Sequence, residues 1–212
     1  LSQIYQIQKD TKERVSNIIV MGMGEPLDNY EELLRFIKLV SCEKGIGISQ
    51  RNITVSTCGL VDKIRMLADE KLQITLAISL HAPNDEIRRQ TMPIANRYTI
   101  GEIIQACKYY FDKTGRRITF EYSMIRGVND KEEHAKELAG RLSGLNCHIN
   151  LIPLNEVKER NCYRSTKEDI EKFKTILEKY RKTVTIRREM GSDIDAACGQ
   201  LRKKFLTKNG RN

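Results

Sequence analysis

No run of about 18 apolar residues occurs in this 212-residue chain, which excludes a membrane-spanning helix of ordinary length. The opening segment, LSQIYQIQKDTKERVSNIIV, lacks the charged start, apolar stretch and small-residue cleavage site of a secretory signal. Six cysteines stand at positions 42, 58, 107, 147, 162 and 198. None forms a CxxC pair or a CxxxCxxC triple, so no zinc or iron–sulfur site can be read locally. With no secretory signal, these thiols are expected to be reduced, in the cytoplasm, rather than paired as a disulfide framework. Low-complexity segments and clear repeats are also missing. Leu1 stands where a start methionine would, which suggests a piece of a longer chain.

What is present is a basic balance. Lys and Arg number 37 against 28 Asp and Glu, a formal net charge of +9, and the chain ends in LRKKFLTKNGRN. Such a surface favours a polyanionic partner, nucleic acid first. The length suits a single domain with a sizeable core.

Strand-like runs alternate with helical patterns. The expected strands are 17–22, 52–59, 73–83, 116–125, 147–155 and 183–191. Between them the periodicity predicts helices over 29–42, 60–71, 99–115, 130–144 and 165–182. Asn29 with Glu32, and Thr99 with Glu102, have capping-box spacing, Ser165 or Thr166 suits another N-cap, and Gly115 suits a helix C-terminus. Cys42 and Cys107 fall on apolar helical faces and are expected in the core. This alternation requires crossover connections and hence a parallel sheet, either open or curled into a barrel.

Parallel α/β proteins collect ligands at the carboxyl ends of their strands. Those ends carry Gly22 to Pro26, Ser56 to Gly59, Ser79 to Pro83, Arg126 to Asn129, Pro153 to Asn155, and the loop with Cys198. GMGEP has neither the GxGxxG register nor the lysine of a phosphate loop, and its glycines could simply relieve a crowded turn. Glu25, between Gly24 and Pro26, suits an ammonium ligand. His81 in SLHAP reads as a hydrogen-bonded turn residue before it reads as a base. Ser56 and Ser79 gain meaning only from sharing a rim. Cys198, in GSDIDAACGQL (191–201), has small and acidic neighbours, and it fits either a tight turn or a reactive thiol.

VMGMGEPLDNY, ISLHAPND, INLIPLN and above all GSDIDAACGQLR resemble the RlmN-type radical S-adenosylmethionine (SAM) RNA methyltransferases, from about residue 15 to about 205. The resemblance implies methylation at C2 of an adenine in 23S rRNA, and in certain tRNAs. A sister type, the Cfr-like enzymes, methylates C8, and Pro26 favours C2. Carried over by position, SAM contacts fall on Gly24, Glu25, Ser56, Ser79, Leu80, His81 and Asn155, and the methyl-carrying cysteine on Cys198. The implied chemistry uses one SAM to methylate Cys198. A second SAM, cleaved reductively at a [4Fe–4S] cluster, activates that methyl group, and a second cysteine then releases the product.

The cluster motif, the second cysteine and an accessory domain lie upstream of MGMGEP in that family, and no cysteine precedes it here. The expectation is therefore a parallel-sheet partial (βα) barrel of the radical SAM type, spanning residues 1–212. It would lack its first strand, cluster loop and accessory domain, and the cluster ligands would lie outside this chain. The fragment alone is expected to be inactive and to dimerise through an exposed sheet edge. Two other readings stand beside it: a non-catalytic RNA-binding remnant, and an unrelated α/β barrel using His81 or Glu121 as a base.

Overall fold

The six expected strands form one sheet, all parallel, in the order β1 to β6 along the chain. The computed structural model describes residues 1–154 and 162–188. The strands are β1 (Ile18–Val20), β2 (Ile53–Thr57), β3 (Thr75–Ser79), β4 (Ile118–Met124), β5 (Cys147–Pro153) and β6 (Thr183–Ile186). The helices are α1 (Ser2–Thr11), α2 (Tyr30–Ser41), α3 (Val61–Asp69), α4 (Asp85–Thr91), α5 (Ile100–Thr114), α6 (Glu132–Arg141) and α7 (Lys167–Lys179). Among the described residues, spatial order never departs from chain order. The winding therefore has no reversal point, and ligands are expected at the carboxyl end of a singly wound partial barrel.

Register divides the sheet into two chemical faces. Ile53, Val55, Leu76, Ile78, Ile118, Phe120, Tyr122, Ile149, Leu151 and Val184 are buried in one core with Leu33, Ile37, Ile64, Ile103, Leu138 and Phe173 of the helices. The alternate positions are largely polar. Ser56, Ala77, Thr119, His148 and Thr183 align across β2 to β6, and the next row is Ser79, Glu121, Asn150 and Thr185. Period-two alternation thus sends apolar atoms to the helices and polar ones to the opposite, inner face.

Most terminal signals act as expected. Thr99 and Glu102 form a complete capping box, Gly115 closes α5 with φ 65°, and Thr166 caps α7 by accepting from the Asp169 N–H. Two expectations fail. Asn29 makes no side-chain cap, because Pro26–Asn29 already turns as a 3-10 segment capped by Glu25. Cys107 is buried, but Cys42 is exposed, because α2 stops at Ser41 and Cys42 turns away from the stripe of Leu33, Leu34, Ile37 and Val40. Two helices escape the periodicity. The α1 helix buries none of its residues, and α4 is only seven residues long.

Candidate functional site

At the end of β1 the chain passes through Gly24 at φ 94°, a conformation that strains any residue with a Cβ. Glu25 follows, and its carboxylate joins two strand ends. Oε1 accepts the Leu27 N–H at 3.0 Å and Oε2 accepts the Cys58 N–H at 2.7 Å. A carboxylate has about four acceptor positions, so each oxygen keeps capacity for a ligand. Burial and the adjacent Glu25 push the Cys58 thiol up to about 12, so at neutral pH it stays protonated and unreactive.

Ser56 and Ser79 are half-buried, and neither hydroxyl is hydrogen-bonded to another described residue. Leu80 is fully buried, and its N–H and that of His81 both reach the Glu121 carbonyl, at 3.1 and 3.2 Å. His81 has φ 57°, which turns the chain sharply out of β3. Its Nδ1 accepts the Ser123 N–H at 3.0 Å, so the proton of the neutral ring sits on Nε2. Burial, with the Arg88 charge nearby, lowers its pKa to about 4. The ring is neutral at physiological pH with its basic nitrogen already engaged. A role as general base finds no support in that geometry.

Two further residues hold this rim: Arg88, which sequence did not single out, and Asn129, which it placed on the rim without a role. Arg88 is fully buried on α4. Its guanidinium donates to the carbonyls of Cys58 at 2.6 Å, Leu80 at 3.2 Å, Ser79 at 3.3 Å and Tyr98 at 3.5 Å, which locks the ends of β2 and β3 together. Burial lowers its pKa, opposed by the fields of Cys58 and Asp85. Gly59 makes room for it: a Cβ there would lie 2.8 Å from Ile103 Cδ1 and 3.4 Å from Arg88 Nη2. Asn129, also fully buried, does the same between β3 and β4. Its Nδ2 donates to the His81 and Ser123 carbonyls, and its Oδ1 accepts the Ile125 N–H. The position of Asn129 just beyond β4 was a usable signal. Nothing local distinguishes Arg88 from Arg89.

Gly24, Glu25, Ser56, Ser79, Leu80 and His81 thus share the carboxyl rim of β1, β2 and β3. Asn155 and Cys198 lie outside the described residues. Among the described residues no three His, Cys, Asp or Glu side chains are grouped to hold a metal, and the sequence has no three-cysteine motif. The residues present do not fit a [4Fe–4S] cluster. They do fit a zwitterionic nucleoside, with a carboxylate for an ammonium and two unclaimed hydroxyls beside an open glycine turn.

Comparison with known proteins gives a consistent picture. Residues 1–139 match the radical SAM superfamily. The chain is 62% identical over 206 residues to a "Probable dual-specificity RNA methyltransferase RlmN" of Lachnospira eligens, covering 97% of this chain and 59% of that protein. A protein of the same description from Clostridium novyi is 56% identical over 209 residues, covering 99% of this chain and 61% of its own length. A radical SAM methyltransferase from Sphaerobacter thermophilus superposes with a TM-score of 0.87 at 47% identity, over 92% of this chain and 57% of that one. A domain of pyruvate-formate lyase-activating enzyme from Bacteroides vulgatus, 21% identical, shares the fold with a TM-score of 0.61, over 82% of this chain and all of that domain. The chain therefore spans less than two thirds of the RlmN-described relatives and of the Sphaerobacter thermophilus methyltransferase.

Proposed function

The chain belongs to the radical SAM superfamily, and from that premise we propose that it is the carboxy-terminal part of an RlmN-type methyltransferase. Its substrates would be adenines of 23S rRNA and tRNA, methylated at C2. The observation that carries this reading is 62% identity sustained over 97% of the chain. Pro26 in GMGEP favours C2 over C8. The basic surface supports binding to RNA phosphates, which positions the polymer and leaves base choice to the pocket. No helix among the described residues is long and apolar enough to cross a membrane, and we place the enzyme in the cytoplasm.

Adenine C2 lies between two ring nitrogens and is electron-poor, so it cannot attack a methyl sulfonium directly. A protein thiol can. SAM, when bound, supplies an electrophilic methyl group. In the proposed step the Cys198 thiolate forms a new S–CH3 bond as the sulfonium–methyl bond breaks, and S-adenosylhomocysteine leaves. Glu25 would accept hydrogen bonds from the SAM ammonium. Gly24 would let backbone approach, and Ser56, Ser79 and Asn155 would offer neutral partners to the carboxylate, ribose or adenine. Leu80 and His81 would form wall. Any cluster would be held by residues outside this chain.

In the complete enzyme, Glu25→Gln is expected to weaken SAM binding about tenfold, because an ammonium loses its charged partner. A glutamine carbonyl can also serve only one side of the Leu27–Cys58 bridge, so the variant should be less stable by about 1–2 kcal/mol. Isothermal titration and denaturant unfolding measure the two effects separately. Unchanged affinity alongside reduced stability would leave Glu25 a strut only.

The reading as a whole is tested with labelled SAM and 23S rRNA. The complete enzyme should yield 2-methyladenine, whereas the 212-residue chain, reconstituted anaerobically with iron and sulfide, should hold no stoichiometric cluster and transfer nothing. 8-Methyladenine would support the Cfr-like alternative, and RNA binding without any methylation would support the non-catalytic one. The β1 strand pairs with β2 alone among the described residues, and Ile19 on it is exposed. We propose that this edge mediates dimerisation of the isolated chain.

A further inference from the structure

One carboxyl on the inner face is the end of a directed hydrogen-bond chain. Thr185 Oγ1 donates to Asn150 Oδ1 at 3.0 Å, and Asn150 Nδ2 donates to Glu121 Oε2 at 2.9 Å. A hydroxyl has one proton, already committed to Asn150, so His148 Nε2 must be the donor in its 2.9 Å contact with Thr185 Oγ1. Every link therefore points the same way, from β5 and β6 to the acceptor on β4. Glu121 is only 6% exposed, yet its Oε1 accepts no hydrogen bond from any described residue. Among the described residues the sealed side-chain atoms without a partner are the Tyr30 and Ser41 hydroxyls, so Glu121 Oε1 has acceptor capacity open toward the inner face. Burial raises the pKa of Glu121, while the Asn150 bond and the Arg187 charge oppose that rise.

The register shows where a partner would come from. Glu121 is the direct neighbour of Ser79 on β3 and of Asn150 on β5. Adjacent strands lie about 4.8 Å apart, so a ribose or purine touching Ser79 also reaches Glu121. We propose that Glu121 Oε1 accepts a hydrogen bond from the adenosine part of SAM, through a ribose hydroxyl or the 6-amino group, making Glu121 a ligand-binding residue. Asn150 and Thr185 are positioning residues that hold the free oxygen toward the ligand. This inference rests on the proposed SAM site.

Glu121→Gln tests it. With its carbonyl kept on Asn150, the glutamine presents an NH2 group where the ligand presents a donor. S-Adenosylhomocysteine, titrated calorimetrically into the complete protein, should bind about tenfold more weakly or worse to the variant. The defect should shrink for the analogue that lacks the paired donor, either the inosine or a deoxyribose form. Glu121→Leu, which offers neither donor nor acceptor, should also lose affinity, and melting curves identify a variant that fails to fold. Equal binding by the unaltered protein and both folded variants would overturn the inference while leaving the SAM site standing. If the unaltered protein bound no S-adenosylhomocysteine, both would fall. A defect seen only with an adenine-containing RNA would overturn the assignment to SAM.

Discussion

Replacing Cys198 with alanine in the complete enzyme is expected to reduce RNA methylation to background while leaving SAM binding unchanged. The proposed substrate sets the requirement. A carbon as electron-poor as adenine C2 cannot take a methyl group by ordinary displacement, so a nucleophile on the protein has to carry it. Four of the described thiols, Cys42, Cys58, Cys107 and Cys147, are poorly suited to the task. Cys107 and Cys147 are buried, and burial raises the pKa of each. Cys58 is held as a protonated thiol by burial and Glu25. Cys42 is exposed at the end of α2, away from the rim. Cys198 is flanked in sequence by the small residues Ala196, Ala197 and Gly199, which suits the proposed role of a thiol that two bulky substrates must reach in turn. Peptide mass spectrometry of the active protein should show a methyl increment on the peptide containing Cys198. Normal C2 methylation by the alanine variant would sink this role, and the tight-turn reading of the residue would replace it.

Arg88→Met should be the most damaging substitution among the described residues. Methionine fills similar volume but donates nothing, so the carbonyls of Cys58, Ser79, Leu80 and Tyr98 all lose the same partner. Unsatisfied buried carbonyls cost about 1–3 kcal/mol each, although these losses do not add fully. A drop of about 3–5 kcal/mol in unfolding free energy is expected, a large share of a typical domain's stability. Arg88→Lys keeps the charge but concentrates its donors at one point, so it should recover only part of the loss. Denaturant titration of the three proteins measures both effects. A methionine penalty below about 1 kcal/mol would mean that the strand ends find other donors.

The alternation of strand and helix was plain in the sequence because each crossover leaves a β-branched run followed by an apolar stripe at helical spacing. Strand ends were less plain. QITLAISLHAP reads as one continuous run, yet the ladder stops at Ser79, because the turn at His81 is set by tertiary bonds to Ser123 and Asn129. The short α4 contains too few apolar positions to declare a period. Of the site, Gly24, Glu25, Ser56 and Ser79 were legible through their places at strand ends. Which of Arg88 and Arg89 turns inward was not. The chain from His148 to Glu121 joins residues of three strands, and only sheet register brings them together.

Because the strands lie in the sheet in the order in which they are synthesised, no strand has to wait for a later one to be inserted beside it. Each βα unit leaving the ribosome can dock on the edge left by its predecessor, and each addition closes only a local loop. Folding can then advance as a front, with little entropy spent on distant pairing. A premature stop would leave a shorter sheet of the same kind with a fresh open edge, and a slow codon between units should be better tolerated than one within a strand.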